Sequence, residues 1–182
     1  MAKHAASPLA KPLKPAPAAA LLKATSAAAT DLNHDGVMEL AGVLRHLLAD
    51  VFALYIKTKN FHWHIGGRHF RDYHLLLDEQ AEQIFAMTDE IAERARKIGG
   101  TTLRSISDIF RHQRLKDNNK ESVTAQEMLA ELRADNLYLI RALRSAHDVC
   151  EQYRDVATAS LIENWIDEAE RRAWFLTQTT RE

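Results

Sequence analysis

KTKNFHWHIGGRHFRDYHLLLDEQAEQIFAMTDEIAERARKIGG, running from Lys57 to Gly100, is the stretch that decides the fold. In it His62 precedes two pairs, His74/Asp78 and Asp89/Glu93, each spaced i,i+4. Eleven residues separate Asp78 from Asp89, about three helical turns. At about 100° per residue, these four side chains fall within an arc of roughly 100° on one helix face. At about 1.5 Å per residue, His74 and Glu93 are roughly 28 Å apart along the axis, whereas metal–ligand bonds are only about 2 Å long. The face therefore cannot form one site by itself. It carries either two incomplete half-sites or two halves that a second copy completes. An antiparallel twofold copy would set His74 and Asp78 against Asp89 and Glu93 of the partner subunit, about an axis near Gln83 and Ile84.

Spacing alone leaves two readings open. Histidines and carboxylates at i,i+4 are common on solvated, salt-bridged helix faces. Against that, no lysine occurs between Lys59 and Lys97, and Arg94 and Arg96 come only at the end of the segment. A cation is then a plausible missing partner for the acidic stripe.

The 182 residues suffice for one domain with a substantial core, and the balance of 46% apolar and 27% charged residues is that of a soluble globular chain. The net charge of −1 is unevenly divided. Residues 1–30 carry Lys3, Lys11, Lys14 and Lys23 and no acid, a charge of +4, which leaves −5 for residues 31–182. The lone cysteine, Cys150, forms no intrachain disulfide and points to a reducing cytoplasm. No apolar run approaches the roughly 18 residues needed to span a bilayer, so no membrane association is expected. All four prolines, Pro8, Pro12, Pro15 and Pro17, lie in the first 30 residues. The rest is free to form long helices, in which an internal proline costs about 3 kcal/mol.

Residues 1–30, rich in Ala, Pro, Lys and Ser, read as a disordered basic tail, unlike a transit peptide in lacking arginine. Asp31 to Gly36 resembles the start of a calcium loop, but Gly42 stands where the bidentate glutamate belongs, and helix capping by Asn33 or Asp35 is the expected role. Residues 31–182 read as one helical domain. Val37, Leu40, Leu44, Leu47, Leu48, Val51 and Leu54 recur at steps of three and four and predict a helix from about Val37 to His62. A second helix follows over about Arg68–Ile98. Residues 101–121 read as a polar connection with a small helix built on Leu103, Ile106, Ile109 and Phe110. Thr124 and Glu127 form a capping box for the third helix. Arg154-Asp155 marks a turn, and the fourth helix spans about Val156–Thr177. No strand pattern or internal repeat is visible.

The Lys57–Gly100 segment resembles the Dps family, the mini-ferritins named as DNA-binding proteins from starved cells. The family pattern is His-Trp, a histidine twelve residues after the first, an aspartate four later, then D-E-x-x-E-R. It is filled here by His62-Trp63, His74, Asp78, Asp89-Glu90 and Glu93-Arg94. His64 departs from it, standing where the family often has asparagine. The resemblance extends over about residues 31–182, including Trp174-Phe175-Leu176. It implies an all-α, ferritin-like four-helix bundle with a short extra helix in the connection between the second and third helices, lying at a twofold interface. It implies a hollow shell of twelve and iron as the metal. The ferroxidase centres would be shared between subunits, with His62, His74, Asp78, Asp89 and Glu93 as ligands. The implied reaction is ferrous-iron oxidation, usually with hydrogen peroxide, followed by storage of ferric mineral and protection of DNA in the cytoplasmic nucleoid. Ferritins that hold their di-iron site inside one bundle use Glu-x-x-His motifs. This chain contains none, which favours the intersubunit kind.

Trp63 reads either as an interface aromatic or, by the resemblance, as an oxidisable ring beside the iron. His64 and His69 read as solvated, Glu82 as an outer neighbour of the ligands, and His46, His112 and His147 as isolated structural or surface residues. Asp155, Glu163 and Asp167 lie along one side of the last helix, near where the family builds acidic threefold pores; a solvated face is the alternative. Three functions follow: a ferroxidase and iron store; a DNA-compacting protein acting through Lys3, Lys11, Lys14 and Lys23; or a helical protein whose acidic stripe only mediates dimerisation.

Overall fold

The computed structural model describes residues 30–180, in which the regular secondary structure is all α-helix. Helix α1 spans His34–His64, α2 Phe70–Lys97, α3 Ile106–His112, α4 Ala125–Tyr153 and α5 Val156–Thr179. Four long helices form the bundle, and α3 is the short extra helix in the connection between α2 and α4. None of the described helices is long and apolar enough to cross a membrane.

The helix ends follow local chemistry. Asn33 caps α1 by accepting from the Gly36 amide at 2.7 Å, so the helix starts three residues before the first apolar position. Thr124 and Glu127 complete the capping box of α4. Arg154 adopts a left-handed conformation, φ 58°, and turns the chain into α5, where Asp155 caps. After α2, a Cβ on Gly100 would lie 2.3 Å from that of Ala41. Only glycine lets the chain leave α2 pressed against α1.

The apolar stripes meet in one core that includes Leu44, Leu47, Leu54, Ile84, Ile91, Leu132, Leu143 and Ile162. Helix α1 packs along α2 and crosses to α4, and α4 packs along α5, whereas α2 and α5 touch sparsely. Buried polar groups pin the frame. Asp50, fully buried, accepts from the Arg114 amide at 2.6 Å and from its Nε at 2.8 Å, tying the connection after α3 to α1. Lys57 reaches from α1 to Glu131 and Asp135 of α4 at 2.9 and 2.7 Å.

The small helix departs from the expected apolar cluster. Ile106 and Phe110 are 80% and 73% exposed. With Phe52, Ile56 and Trp63 they line a groove of about 1030 Å³ between α1 and the connection. Exposed apolar side chains gathered in one concavity suit contact with a partner surface or ligand.

Candidate metal centre

The ligand stripe lies on the outer side of the bundle. The buried residues of α2 are Leu77, Gln80, Ala81, Ile84, Met87, Thr88, Ile91 and Ala95. At about 100° per residue, the stripe of His74, Asp78, Asp89 and Glu93 is centred far round the helix from that inner face. Ile84, expected near the twofold axis, points into the core; Glu82 and the 52%-exposed Phe85 offer the outward surface at that level.

The first half of the stripe is assembled across two helices. His62 at the end of α1 and His74 at the start of α2 stack with ring centroids 3.8 Å apart. Their anchoring is reciprocal: His62 Nδ1 bonds the His74 carbonyl at 2.8 Å, and His74 Nδ1 bonds the His62 carbonyl at 2.9 Å. A carbonyl oxygen only accepts, so each Nδ1 carries the proton, and in the neutral ring each Nε2 keeps its lone pair. Metal-binding imidazoles are commonly oriented in this way. Asp78 Oδ1 lies 3.8 Å from His62 Nε2. It also takes a 2.7 Å ion pair from Lys59, whose hydrogen bond holds the Asp78 carboxyl below the usual carboxylate range. That lysine comes from α1, whereas the scarcity of partners noted in the sequence concerned α2 alone.

The second half is bare. Asp89 is exposed and, among the described residues, makes no side-chain hydrogen bond or ion pair. Glu93 meets only Lys97, at 2.9 Å, with both side chains more than half exposed. The structure thus brings His62, His74 and Asp78 together and leaves Asp89 and Glu93 at the other end of α2. Trp63 is 61% exposed and faces the groove rather than the core.

A ferritin-like domain model matches residues 42–182. A low temperature-induced protein of Nostoc is 35% identical over 148 residues, 81% of each chain. The DNA protection during starvation protein of Halobacterium salinarum is 30% identical over 139 residues, 76% of each chain. The crystal structure of an archaeal Dps homologue from Halobacterium salinarum superposes with a TM-score of 0.80 at 28% identity, covering 84% of each chain. The chain belongs to the Dps family of ferritin-like proteins.

Other candidate residues of this Dps-family chain are placed as follows. Lys3, Lys11, Lys14 and Lys23 lie outside the described residues. Asp155 is 5% exposed and occupied as the cap of α5 and the partner of Arg94 at 2.6 Å. Glu163 and Asp167 are exposed on α5. His64 and His69 are exposed, as expected. The other histidines are not isolated. His46 Nδ1 lies 2.9 Å from the His112 carbonyl, and His147 Nε2 lies 3.1 Å from Glu163. Ligand atoms of His147, Asp148 and Glu151 lie within 4.8 Å of one another. The i,i+4 step from His147 to Glu151 was the signal available in the sequence; both acids are solvent-exposed.

Proposed function

We propose that this protein oxidises ferrous iron and stores the ferric product inside a shell of twelve copies, at centres shared between twofold-related subunits. The observation that carries this reading is the reciprocal His62–His74 anchoring. Two bare imidazole nitrogens beside a carboxylate suit ferrous iron, and a face used only for dimerisation has no need of them. Membership of the Dps family supports the same conclusion. Iron is here substrate and cargo. His62, His74 and Asp78 receive it from one side, and Asp89 and Glu93 of the partner subunit close the other. The exposed Phe85 and the groove bearing Ile106 and Phe110 suit burial against that second copy. In the reaction, two ferrous ions give one electron each to one hydrogen peroxide. Its O–O bond breaks, two protons are taken up and two waters form, so no hydroxyl radical is released. Trp63, next to His62, is placed in the chain to lose an electron should one oxidation fall out of step.

The test is anaerobic addition of ferrous iron and then peroxide, followed by absorbance near the ultraviolet edge. The protein should oxidise iron far faster than buffer, and Asp78→Ala and Glu93→Ala should each abolish the fast phase. Oxidation no faster than in buffer would leave only the dimerising reading.

We also propose that residues 1–30 bind DNA without sequence preference. Lys3, Lys11, Lys14 and Lys23, with no acid among them, can follow a phosphate backbone. Four contacts per tail give a salt slope of about −3.6, and linked tails gain through effective concentration. Gel retardation of long DNA should occur with the full chain, fade at higher salt, and be lost in a chain starting at Asp31. Equal retardation by both would place DNA binding elsewhere; none by either would leave a ferroxidase shell without a nucleoid role.

A further inference from the structure

Asp89-Glu90 and Glu93-Arg94 are two neighbour pairs on α2, and within each pair the side chains diverge by about 100°. Asp89 and Glu93 face outward with nothing of their own to orient them except Lys97. Their neighbours turn to the flank facing α5. Glu90 Oε2 accepts from Trp165 Nε1 at 2.9 Å. Arg94 donates from Nε to the Thr158 hydroxyl at 2.7 Å and from its terminal nitrogen to Asp155 at 2.6 Å. All three α5-side partners are buried: Trp165 is 2%, Thr158 0% and Asp155 5% exposed. Helix α2 packs chiefly along α1, and these polar bonds, with the contacts of Gln80 and Met87 to Arg172, add a hold on the rotation of α2 about its axis from the α5 side. That rotation decides where two otherwise unheld carboxylates point.

We infer that Glu90 and Arg94 are positioning residues, a two-point clamp of α2 onto Asp155, Thr158 and Trp165 that aims Asp89 and Glu93 at the partner's half-site. This rests on the shared-site reading above. It gives the D-E-x-x-E-R run of this chain a division of labour, with alternate residues binding metal and holding the helix. It also gives buried Asp155 a task at the opposite end of an ion pair from the ligands.

The experiment uses the assembled full chain and cobalt(II) as a spectroscopic probe, since its visible bands report ligand number and geometry. Asp89→Ala serves as the reference for loss of the carboxylate half. Arg94→Gln should keep the shell assembled and change the cobalt band shape towards that of Asp89→Ala. It should also lower the turnover of ferrous iron by about a hundredfold, the order expected for a misplacement of about 1 Å. Arg94→Lys, which preserves one charged contact to Asp155, should restore much of the cobalt spectrum. Labelling of the buried Cys150, whose carbonyl accepts from the Asp155 amide at 2.9 Å, reports independently whether the clamp has opened. Should Arg94→Gln fail to assemble, Trp165→Phe removes only the donor to Glu90 and should give a smaller change of the same kind. An Arg94→Gln or Trp165→Phe shell with the wild-type cobalt spectrum and turnover overturns the clamp. A spectrum unchanged by Asp89→Ala instead overturns the shared site itself, and the two failures are thereby distinct.

Discussion

The two ends of α2 hold their outward side chains to different degrees. At the first end, His62 and His74 are locked ring on ring by their own backbones, and Lys59 occupies Asp78. At the second end, Asp89 has no partner among the described residues and Glu93 has a solvated one. A self-sufficient site would be built to the same standard throughout. An end that is internally bonded and imidazole-rich, paired with one that is acidic and open, suits complementary halves of one interface. The halves also differ in how their geometry is set, by local side-chain bonds in the first and by the orientation of the whole helix in the second.

The sharpest way to break this comparison is mixed-subunit complementation. Shells made only of His74→Ala/Asp78→Ala chains, or only of Asp89→Ala/Glu93→Ala chains, should lose iron oxidation by at least about a hundredfold. Co-assembled shells should recover a measurable fraction, because each mixed dimer keeps one intact centre. Verified co-assembly without recovery would show that the halves do not share a metal.

The first half depends on the hold of α1 on the bundle, to which Lys57 contributes alongside the core packing. Its side chain is 5% exposed and bonded to both Glu131 and Asp135. Lys57→Ala leaves two carboxylates without their cation and should cost about 3 kcal/mol, measured as a lower denaturant midpoint. Burial by itself would pull the Lys57 ammonium down, but the hydrogen bonds to Asp135 and Glu131 outweigh it and raise its pKa above 10.5. On the lysine side the stabilisation is therefore complete below pH 10.5 and is lost as the pH climbs through the raised folded value, while burial raises the Asp135 carboxyl, so the pair also weakens in acid when that group takes up a proton. Wild-type protein should weaken over that alkaline range, and the variant should not show the same drop.

What the sequence could reveal follows the range of the interactions. Helix number, order and capping were legible because apolar spacing and the Asn33 and Thr124 caps are local signals. Apolar spacing places the start of α1 late, at Val37, since periodicity registers the first apolar residue and not the polar turn that precedes it. The common face of His74, Asp78, Asp89 and Glu93 was legible from α2 alone, through the i,i+4 steps. The contacts that orient them were not. Lys59–Asp78, Glu90–Trp165 and Arg94–Asp155 join residues 19, 75 and 61 positions apart, and no periodic pattern pairs them. Nor does local apolar spacing tell that Ile106 and Phe110 of the small helix face outward.

A smaller effect ranks the ligands. Asp89→Ala and Glu93→Ala should each weaken ferrous binding about tenfold more than His62→Ala. A carboxylate brings charge and can chelate or bridge a hard cation, while imidazole contributes one neutral donor. Anaerobic titrations of the three single variants decide it. An equal or greater loss from His62→Ala would mean that the prepared half carries the affinity, reversing the roles drawn above.

The smallest effect tests whether Lys59 belongs to the metal-free state only. The Lys59–Asp78 pair is partly solvated, with the aspartate side chain 44% exposed, so Lys59→Met should change stability little. Its effect on metal should be clearer. An incoming ferrous ion competes with the ammonium for Asp78, and removing that positive charge should tighten binding about threefold at neutral pH and low salt. The acid side should move the other way. The hydrogen bond from Lys59 holds the Asp78 carboxyl below its ordinary 3.8, so the carboxylate stays ionised to lower pH in the wild type. The pair's contribution is present above that ordinary value and fades as pH falls through the depressed one. Without Lys59 the fade should begin at higher pH, so wild type and variant binding curves should converge on acidification. Weaker binding by Lys59→Met at neutral pH would show instead that the ammonium holds Asp78 in the orientation that iron needs. The first half would then owe its readiness to a cation on α1 as much as to the stacked histidines.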